Sequence, residues 1–265
     1  MPEGDTLFRT AAGLRPYLLG RAVTAAAARQ PGPQADRLVG ATVTGVDAQG
    51  KNLLIRFDNG LEVRTHLGMQ GSWHRYRPGE RWRRAPSRSR LVIEVPGSIA
   101  VCFDAPTVEL FEQRAEPLHP ALSRLGPDLL VDPLDIDEII RRLRHPSRVG
   151  MTVGEALLDQ RALAGIGNEV RNQVLWQARI SPFVALAAVD DAAIRALVAG
   201  AREILREGAR TGIRPSDIHG RSGRPCPRCG ARIRSLVYGG ELPRIAYWCP
   251  RCQPDPLEAS PRGEP

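Results

Sequence analysis

The chain has almost no lysine. Of its 37 basic residues, only Lys51 is a lysine, and the others are arginines. An ammonium group can lose its proton and take part in acid–base chemistry, whereas a guanidinium stays charged. A genome that favours arginine codons would leave a lysine only by chance. The other interpretation is that the chemistry of the protein requires an amine at Lys51.

Long apolar runs and a leader segment are also missing. No run approaches the length of a membrane span, and the start carries Glu3 and Asp5 where a secretory signal has basic and apolar regions. We therefore expect a cytoplasmic protein of bacterial type. Cysteine is scarce as well, with five residues in the chain. In a reducing compartment, two Cys-x-x-Cys pairs predict a metal site rather than disulfides.

The composition allows one large or two ordinary globular domains, since 42% of the 265 residues are hydrophobic. The formal net charge is +8 and the sequence pI is about 9.9. This excess favours a polyanionic partner, most often a nucleic acid. The alternative is an arginine-rich proteome in which the charge has no partner.

The first half of the chain predicts one helix followed by strands. Leu7, Ala11, Leu14 and Leu18 recur at helical spacing within residues 3–18, and Pro16 predicts an early end or a kink. Alternating patterns with hairpin turns then indicate a sandwich or flattened barrel. The predicted strands are residues 41–48, 52–57, 61–66, 72–76, 91–95 and 99–103, after a strand or irregular segment that begins near residue 20.

The second half predicts helices and a cysteine-rich end. The predicted helices are residues 134–143, 153–159, 169–177 and 191–207. The overall expectation is an α+β multidomain protein. We expect a β-sandwich at residues 1–116, a linker at 117–133, a helical domain at 134–220, a four-cysteine finger at 221–253 and a disordered tail at 254–265.

The clearest metal signal is the set of four paired cysteines. Four thiolates in two knuckles predict one closed, tetrahedral and therefore structural zinc ion. Residues 233–237 and 244–248 would pair between the knuckles, and the hairpin would present Arg244 to a nucleic acid or merely cover a core edge. The predicted ligands are Cys226, Cys229, Cys249 and Cys252.

The first residues offer a reactive pair. If Met1 is removed, Pro2 exposes a secondary amine beside the Glu3 carboxyl, at the head of the predicted helix. The amine can attack carbon, and the carboxyl can donate or accept a proton. The alternative is that Pro and Glu only suit a first helical turn.

Three further segments are candidates for nucleic-acid contact. The turn Gly165–Asn168 opens a helix and could hold a phosphate. Met69, in a loop between glycines, could fill the space left by a flipped base or fold onto the core. Residues 73–90 carry seven arginines with Trp73, Tyr76 and Trp82, and could stack on bases or form a solvated basic loop.

Taken in order, these motifs resemble the Fpg/Nei family of DNA glycosylases. The resemblance extends to about Gln253, and the Pro-Glu-Gly start is similar to the endonuclease VIII (Nei) branch. The motifs are Pro2-Glu3-Gly4, Gly50-Lys51, His66-Leu67-Gly68-Met69, Leu157-Leu158-Asp159-Gln160, Ala164-Gly165-Ile166-Gly167-Asn168, His219-Gly220-Arg221 and the four cysteines.

The resemblance implies a fold and a set of roles. The fold would be an N-terminal β-sandwich led by one helix, then a helix–two-turn–helix domain with a zinc finger, with DNA between the lobes. Pro2 would be the Schiff-base nucleophile and Glu3 the proton donor. Lys51 would lie beside the lesion phosphate, and Asn168 and Arg244 would grip phosphates.

The chain departs from the formamidopyrimidine enzymes in one informative place. Their Asp-x-Arg-x-Phe segment is replaced by residues 104–110, which lack both the Arg and the Phe. This argues against 8-oxoguanine opposite cytosine as the main substrate. The 19-residue spacer between the knuckles is longer than usual for the family, and Asp5 replaces a common proline.

The sequence therefore predicts a monomeric, bifunctional DNA glycosylase and AP lyase that removes oxidised bases, with pyrimidines favoured, from double-stranded DNA. The alternatives are an enzyme that prefers 8-oxoguanine, a zinc protein that binds damaged DNA without catalysis, and an RNA-binding protein.

Overall fold

A computed structural model describes residues 2–239 and 243–254, and the chain forms two compact units that divide after Arg124. The predicted residues 255–265 of the tail, and Gly240 in the predicted finger turn, lie outside the described residues. Among the helices of the described part, none is both long and apolar enough to cross a membrane. The finer division into five segments stays a prediction.

The first unit begins with helix α1 (Gly4–Leu18), whose buried face includes Leu7, Ala11, Leu14 and Leu18. The predicted early end at Pro16 is wrong, because the helix continues to Leu18. A proline in the last turn disturbs only one helical hydrogen bond. The fully buried Leu18 side chain and the packing of α1 on the following sheet stabilise the last turn.

Two four-stranded antiparallel sheets make up the rest of this unit. The strands are β1 (Ala25–Ala28), β2 (Val43–Gln49), β3 (Asn52–Phe57), β4 (Leu61–His66), β5 (Ser72–Tyr76), β6 (Ser89–Val95), β7 (Ser98–Phe103) and β8 (Thr107–Glu112). One sheet has the order β1-β6-β7-β5 and the other β2-β3-β4-β8. The shared core includes Leu7, Leu53, Ile55, Leu91 and Ile93, so the two sheets pack with α1 as a sandwich.

Strand β8 was missing from the predicted strands. It pairs with β4 along its whole length, from Leu61 opposite Glu112 to His66 opposite Thr107. Its residues are half-buried without the alternation that marks a strand, so periodicity gave no signal. Six of the predicted strands agree with observed strands to within two residues at each end.

The second unit contains α2 (Ile136–Leu143), α3 (Val153–Ala156), α4 (Asn168–Ala178) and α5 (Asp191–Thr211), followed by the hairpin strands β9 (Arg234–Tyr238) and β10 (Arg244–Trp248). Thr152 and Glu155 form the predicted capping box of α3. That helix ends earlier than predicted, and α5 runs four residues further than predicted. Gly212 stops α5 in the left-handed region, with φ +79°.

Candidate functional site

The antiparallel arrangement of α1 and β2 determines where the first residues lie. Gly20, after the helix, donates to the Val43 carbonyl at 2.8 Å, and Arg15 donates to the Val46 carbonyl. From Arg15 back to Glu3 the helix advances about 18 Å. From Val46 forward to Lys51 the strand and turn advance about 16 Å in that same direction, because β2 runs antiparallel to α1. Pro2, Glu3 and Lys51 therefore lie at the same end of the sandwich.

Glu3 is a fully buried carboxyl at the start of α1. It occupies the N-cap position, its backbone N–H donates to Thr6 Oγ1 at 3.4 Å, and its carbonyl accepts from the N–H groups of Thr6 and Leu7. The preceding residue, Pro2, is half-buried. The positive end of the helix dipole favours a negative or proton-accepting group here and disfavours a protonated amine. The structure thus gives the predicted pair a buried acid beside a half-buried proline.

Strand register brings His66 to the same end as Lys51. His66 lies directly opposite Asn52, the residue after Lys51. Burial, together with the positive charges of Arg64 and Lys51, lowers the pKa of His66. Its Nδ1 accepts from the Gly68 N–H at 3.2 Å, so a neutral ring with the proton on Nε2 fits this geometry.

His66 was not among the predicted site residues, although it begins the His-Leu-Gly-Met motif. A polar network lies beside it in the same sheet. Arg64 donates to Asn52 Oδ1 at 3.0 Å and to Glu109 Oε2 at 2.6 Å. Glu109 lies 3.2 Å from His119 Nε2. His66 also lies opposite Thr107 of β8, and this neighbour could not be predicted because β8 itself was not predicted.

Met69 is exposed, so the interpretation that it folds onto the core is wrong. Its side chain is 69% exposed in the loop between β4 and β5. The glycines on either side have structural reasons to be glycine. A Cβ at Gly68 would lie 2.8 Å from Pro106 Cγ, and one at Gly71 would lie 2.3 Å from the Leu67 carbonyl oxygen. The base of the loop is therefore closely packed, and the loop exposes the apolar side chain of Met69 to solvent.

Two of the three aromatic residues of segment 73–90 are buried and not available to stack on bases. Trp73 is buried and donates to Thr65 Oγ1 at 3.0 Å. Tyr76 is 1% exposed, and the Trp82 ring stacks on it with centroids 6.0 Å apart. Phe103 completes this second apolar cluster. Trp73 and Tyr76 therefore cannot stack on bases, and Trp82 is half-buried.

In the second unit, the four predicted cysteines converge. Their Sγ atoms all lie within 4.8 Å of one another, with Cys229 and Cys249 3.4 Å apart and Cys226 and Cys252 4.0 Å apart. Tetrahedral zinc with Zn–S bonds of about 2.3 Å needs sulfurs about 3.8 Å apart. The donor set therefore fits a metal ion of this kind. Cys102 lies instead in the core of the first unit, where burial raises the pKa of its thiol.

The thiol pKa values at this cluster depend on local backbone dipoles. Burial raises the pKa of the Cys226 thiol, but backbone N–H groups of Arg228 and Cys229 outweigh burial and lower the pKa to about 6. Burial raises the pKa of Cys249 to about 12. A bound metal would require all four groups as thiolates, so binding would release protons.

The cysteine hairpin is bound to the start of α4. Asn168 Nδ2 and a guanidinium N–H of Arg171 both donate to the Ile245 carbonyl at 3.0 Å. Arg171 also donates to the Asn168 side-chain oxygen and to Tyr238 Oη. Tyr238 Oη in turn donates to the Pro182 carbonyl at 3.3 Å.

Arg171 is 1% exposed and was not predicted, because an arginine inside a helix pattern usually indicates a solvated face. Asn172 adds a bond from the Tyr247 N–H at 3.2 Å. Arg244, by contrast, is exposed at the start of β10, where its guanidinium donates to the Pro243 carbonyl. The structure therefore makes Asn168 part of the helix–finger contact and leaves Arg244 at the surface.

Comparison with known proteins decides the family. The formamidopyrimidine-DNA glycosylase N-terminal domain matches residues 1–107, and the formamidopyrimidine-DNA glycosylase H2TH domain matches residues 125–218. The probable endonuclease 8 2 of Streptomyces coelicolor is 36% identical, over 97% of this chain and 95% of its own. The chain belongs to the Fpg/Nei family of DNA glycosylases. The resemblance seen in the sequence is confirmed.

Other relatives of this Fpg/Nei member bear consistent names. Endonuclease 8 2 of Mycobacterium tuberculosis is 36% identical, over 96% of this chain and the whole of its own. The DNA-(apurinic or apyrimidinic site) lyase Nei2 of Mycolicibacterium smegmatis is 34% identical, over 96% and 99%. The Lactococcus lactis Fpg bound to abasic-site DNA matches the fold with a TM-score of 0.81, at 22% identity, over 96% of this chain and all of its own. The predicted fold class is confirmed.

The helix–finger contact gives a stability prediction. A Cβ at Gly154 would lie 2.0 Å from Tyr238 Oη and 2.8 Å from the Pro182 carbonyl oxygen, whereas a Cβ at Gly150 would meet nothing within 4 Å. We expect Gly154→Ala to lower the free energy of unfolding by about 1–3 kcal/mol through overpacking. Gly150→Ala is the matched control. Urea unfolding measures both, and equal stability of the two variants would contradict the prediction.

Proposed function

We propose that this chain is a bifunctional DNA glycosylase and AP lyase of base excision repair, which removes oxidised bases through a Schiff base on Pro2. The observation that carries the proposal is the arrangement at one end of the sandwich. The buried Glu3 carboxyl, the half-buried Pro2 and the sole lysine, Lys51, share that end. Membership of the Fpg/Nei family supports the assignment.

The chemistry requires that Met1 be removed, because the nitrogen of Pro2 is otherwise an amide. The free amine attacks C1′ of the damaged nucleotide, the bond from C1′ to the base breaks, and a proton from Glu3 assists opening or departure at the sugar. The attacking nitrogen loses its proton, and cleavage of the C1′–O4′ bond, with O4′ taking the proton from Glu3, then leaves an iminium between Pro2 and C1′. A secondary amine can form this ion without a further deprotonation, and the covalent step divides one difficult reaction into easier ones.

Strand cleavage follows from the iminium. The ion acidifies the C2′ proton, whose removal sends an electron pair toward C3′ and expels the 3′-phosphate. A second elimination releases the 5′ phosphate. Lys51, in the turn between β2 and β3, is proposed to bind the phosphate beside the lesion, where its point charge offsets the charge of the leaving group.

DNA binding is assigned to three further residues. Met69 is proposed as the wedge that fills the space left by the flipped nucleotide, and its exposure supports this role. Asn168 is the first residue of α4, where backbone N–H groups and the helix dipole favour a phosphate. Arg244, exposed on the finger hairpin, is proposed to contact the DNA backbone. We propose a monomer acting on damaged double-stranded DNA in the bacterial cytoplasm, at the nucleoid.

We propose one structural zinc ion as the occupant of the four-cysteine cluster formed by Cys226, Cys229, Cys249 and Cys252. Four sulfur ligands leave no open position for substrate, so the ion would hold the hairpin and take no part in catalysis. Its support is the sulfur geometry together with the bonds that tie Ile245 to α4.

Oxidised pyrimidines are the favoured substrates. The segment after β7 carries Asp104, Ala105 and Pro106 and then enters β8, without the Arg and Phe of the formamidopyrimidine enzymes. A glycosylase that prefers 8-oxoguanine is therefore the second candidate. A zinc protein that binds damaged DNA without cleaving it is the third candidate, and Pro2, Glu3 and Lys51 count against it.

The first prediction from the proposed function concerns covalent trapping of the enzyme on DNA. Borohydride should trap the processed enzyme on abasic or damaged duplex DNA, because it reduces the iminium to a stable amine. Pro2→Gly and Glu3→Gln should each reduce processing by at least about tenfold. Intact mass checks the loss of Met1. A trapped, active enzyme that retains Met1 would contradict the role of Pro2, and the absence of trapping on every damaged oligonucleotide would sink the proposal.

The second prediction concerns the substrate. On a panel of duplexes, we expect excision of thymine glycol and 5-hydroxyuracil to exceed excision of 8-oxoguanine opposite cytosine, because the residues that would contact the orphan base are absent. Single-turnover rates separate the candidates. The reverse order would favour the second candidate, and binding without any cleavage would favour the third.

The third prediction concerns the metal. Elemental analysis should find one zinc per chain, and Cys229→Ser should lose it while Cys102→Ala keeps it, since Cys102 lies in a separate core. Chelation should weaken DNA binding far more than it unfolds the first unit, because the four cysteines and the hairpin belong to the second unit. Unchanged DNA binding by the metal-free protein would refute the role of the finger.

A further inference from the structure

The segment between β5 and β6 has no role in the proposed chemistry, although it is strongly basic. Residues 77–88 hold five arginines and one acidic residue. The segment is not a loose loop. Trp82 packs on Tyr76 and on Phe103, with the Phe103 ring centroid 5.8 Å away, and residues 86–88 form a 3-10 turn. The arginines therefore occupy fixed positions over the outer face of the sheet.

One arginine joins this segment to the Met69 loop. Arg84 donates to the Gln70 carbonyl at 3.0 Å and to Asp104 Oδ2 at 2.5 Å. Arg88 donates to Asp104 Oδ1 at 2.9 Å, and the Asp104 N–H returns a bond to the Arg88 carbonyl at 3.0 Å. We call Gln70, Arg84, Arg88 and Asp104 the bracket. Asp104 has a positive φ of 52°, a conformation that short polar residues tolerate best.

The charge at the bracket is unbalanced. Arg84 and Arg88 share a single carboxylate, that of Asp104, and Arg83 precedes Arg84 in the chain. Arg83 is exposed, and within residues 2–239 and 243–254 its guanidinium has no ion pair. The pKa of a nearby histidine reflects the same excess of positive charge. Burial lowers the pKa of His74, and the charges of Arg84 and Arg83 lower it further.

The bracket also fixes these charges next to the proposed wedge. Gln70 follows Met69 directly, so Arg84 is bonded one residue from the exposed methionine. Duplex DNA carries one negative charge about every 3.4 Å along each strand. A strand whose base stack receives Met69 must therefore pass its phosphates close to the guanidinium groups of the bracket.

We propose that Arg83 and Arg88 form a phosphate-binding surface for the DNA backbone beside Met69, with Arg84 as the positioning residue that holds this surface and the Met69 loop at a fixed separation. The inference rests on the proposed function, since it requires that the chain bind DNA. It assigns the arginines of the segment a contact with the DNA backbone, while Trp73 and Tyr76 are buried in the fold.

A matched pair of double variants tests the surface. Arg83→Gln/Arg88→Gln removes one unpaired and one ion-paired arginine. Arg37→Gln/Arg114→Gln does the same elsewhere, since Arg114 pairs with Glu112 and Arg37 has no carboxylate partner among the described residues. Arg37 and Arg114 lie by the Asn59–Gly60 turn at the far end of β3 from Lys51. Net charge changes equally in both variants.

The measurement is fluorescence anisotropy of a duplex with a tetrahydrofuran abasic analogue, across a range of salt concentrations. Each lost phosphate contact should reduce the slope of log K against log salt by about 0.9 and weaken binding roughly fivefold at about 0.15 M salt. We expect this loss for the Arg83/Arg88 variant and not for the control. Arg83→Lys/Arg88→Lys should restore the slope, because counterion release depends on charge.

Two outcomes separate the inference from the proposed function. If the wild-type enzyme binds and is trapped by borohydride but the two double variants have the same slope, the surface is refuted while the function stands. If the wild type neither binds nor is trapped, the proposed function fails first.

The positioning role of Arg84 needs a measurement that a loss of overall stability would not change. Arg84→Lys keeps the charge, but Nη1 makes both bonds from the end of the longer, planar arginine side chain, and the shorter lysine does not place its ammonium at that point between Gln70 and Asp104. We expect an unchanged salt slope, slower excision of a damaged base, and normal cleavage at a preformed abasic site, where no base must be extruded. Equal slowing on both substrates would overturn the positioning role.

Discussion

The clamp between Arg15 and the Val46 carbonyl determines the geometry of the site. Two guanidinium nitrogens, Nε at 3.0 Å and Nη2 at 2.6 Å, share one acceptor on β2, and Asp47 pairs with the same side chain. The clamp fixes α1 antiparallel to β2. Because a helix and a strand rise at different rates, only this direction and offset bring the first residues to the turn that carries Lys51. A reactive terminus needs such a constraint, since chain ends are otherwise poorly ordered.

The fold could be predicted from the sequence where residues of one type recur at the spacing of a helix, a strand or a metal knuckle. The four leucine and alanine positions of α1, the alternating strands around Asn59–Gly60 and the four cysteines each carry a local pattern that tertiary structure does not override. Strand β8 escaped prediction because both of its faces are half-buried. The end of α1 was misjudged because packing of Leu18 outweighs the preference of Pro16.

The residues of the candidate site also separate into those that a local pattern predicted and those that it did not. The predicted residues Pro2, Glu3 and Lys51 converge because a helix direction and a hairpin register bring them together. His66, Arg64 and Arg171 were not predicted, since their roles depend on partners distant in sequence. The composition of segment 73–90 left base stacking and a solvated basic loop open, and in the structure Tyr76 and Trp82 pack in an apolar cluster with Phe103.

The carbonyl of Ile245 has a consequence for how this protein can be shortened. It accepts from Asn168 and from Arg171, whose guanidinium is almost completely buried under the hairpin. A fragment that ended before the first knuckle would remove the Ile245 and Tyr238 acceptors of this cation and expose the α4 surface that the hairpin covers. The helices and the hairpin are therefore one indivisible folding module, and a minimal fragment of this region must include residues of both.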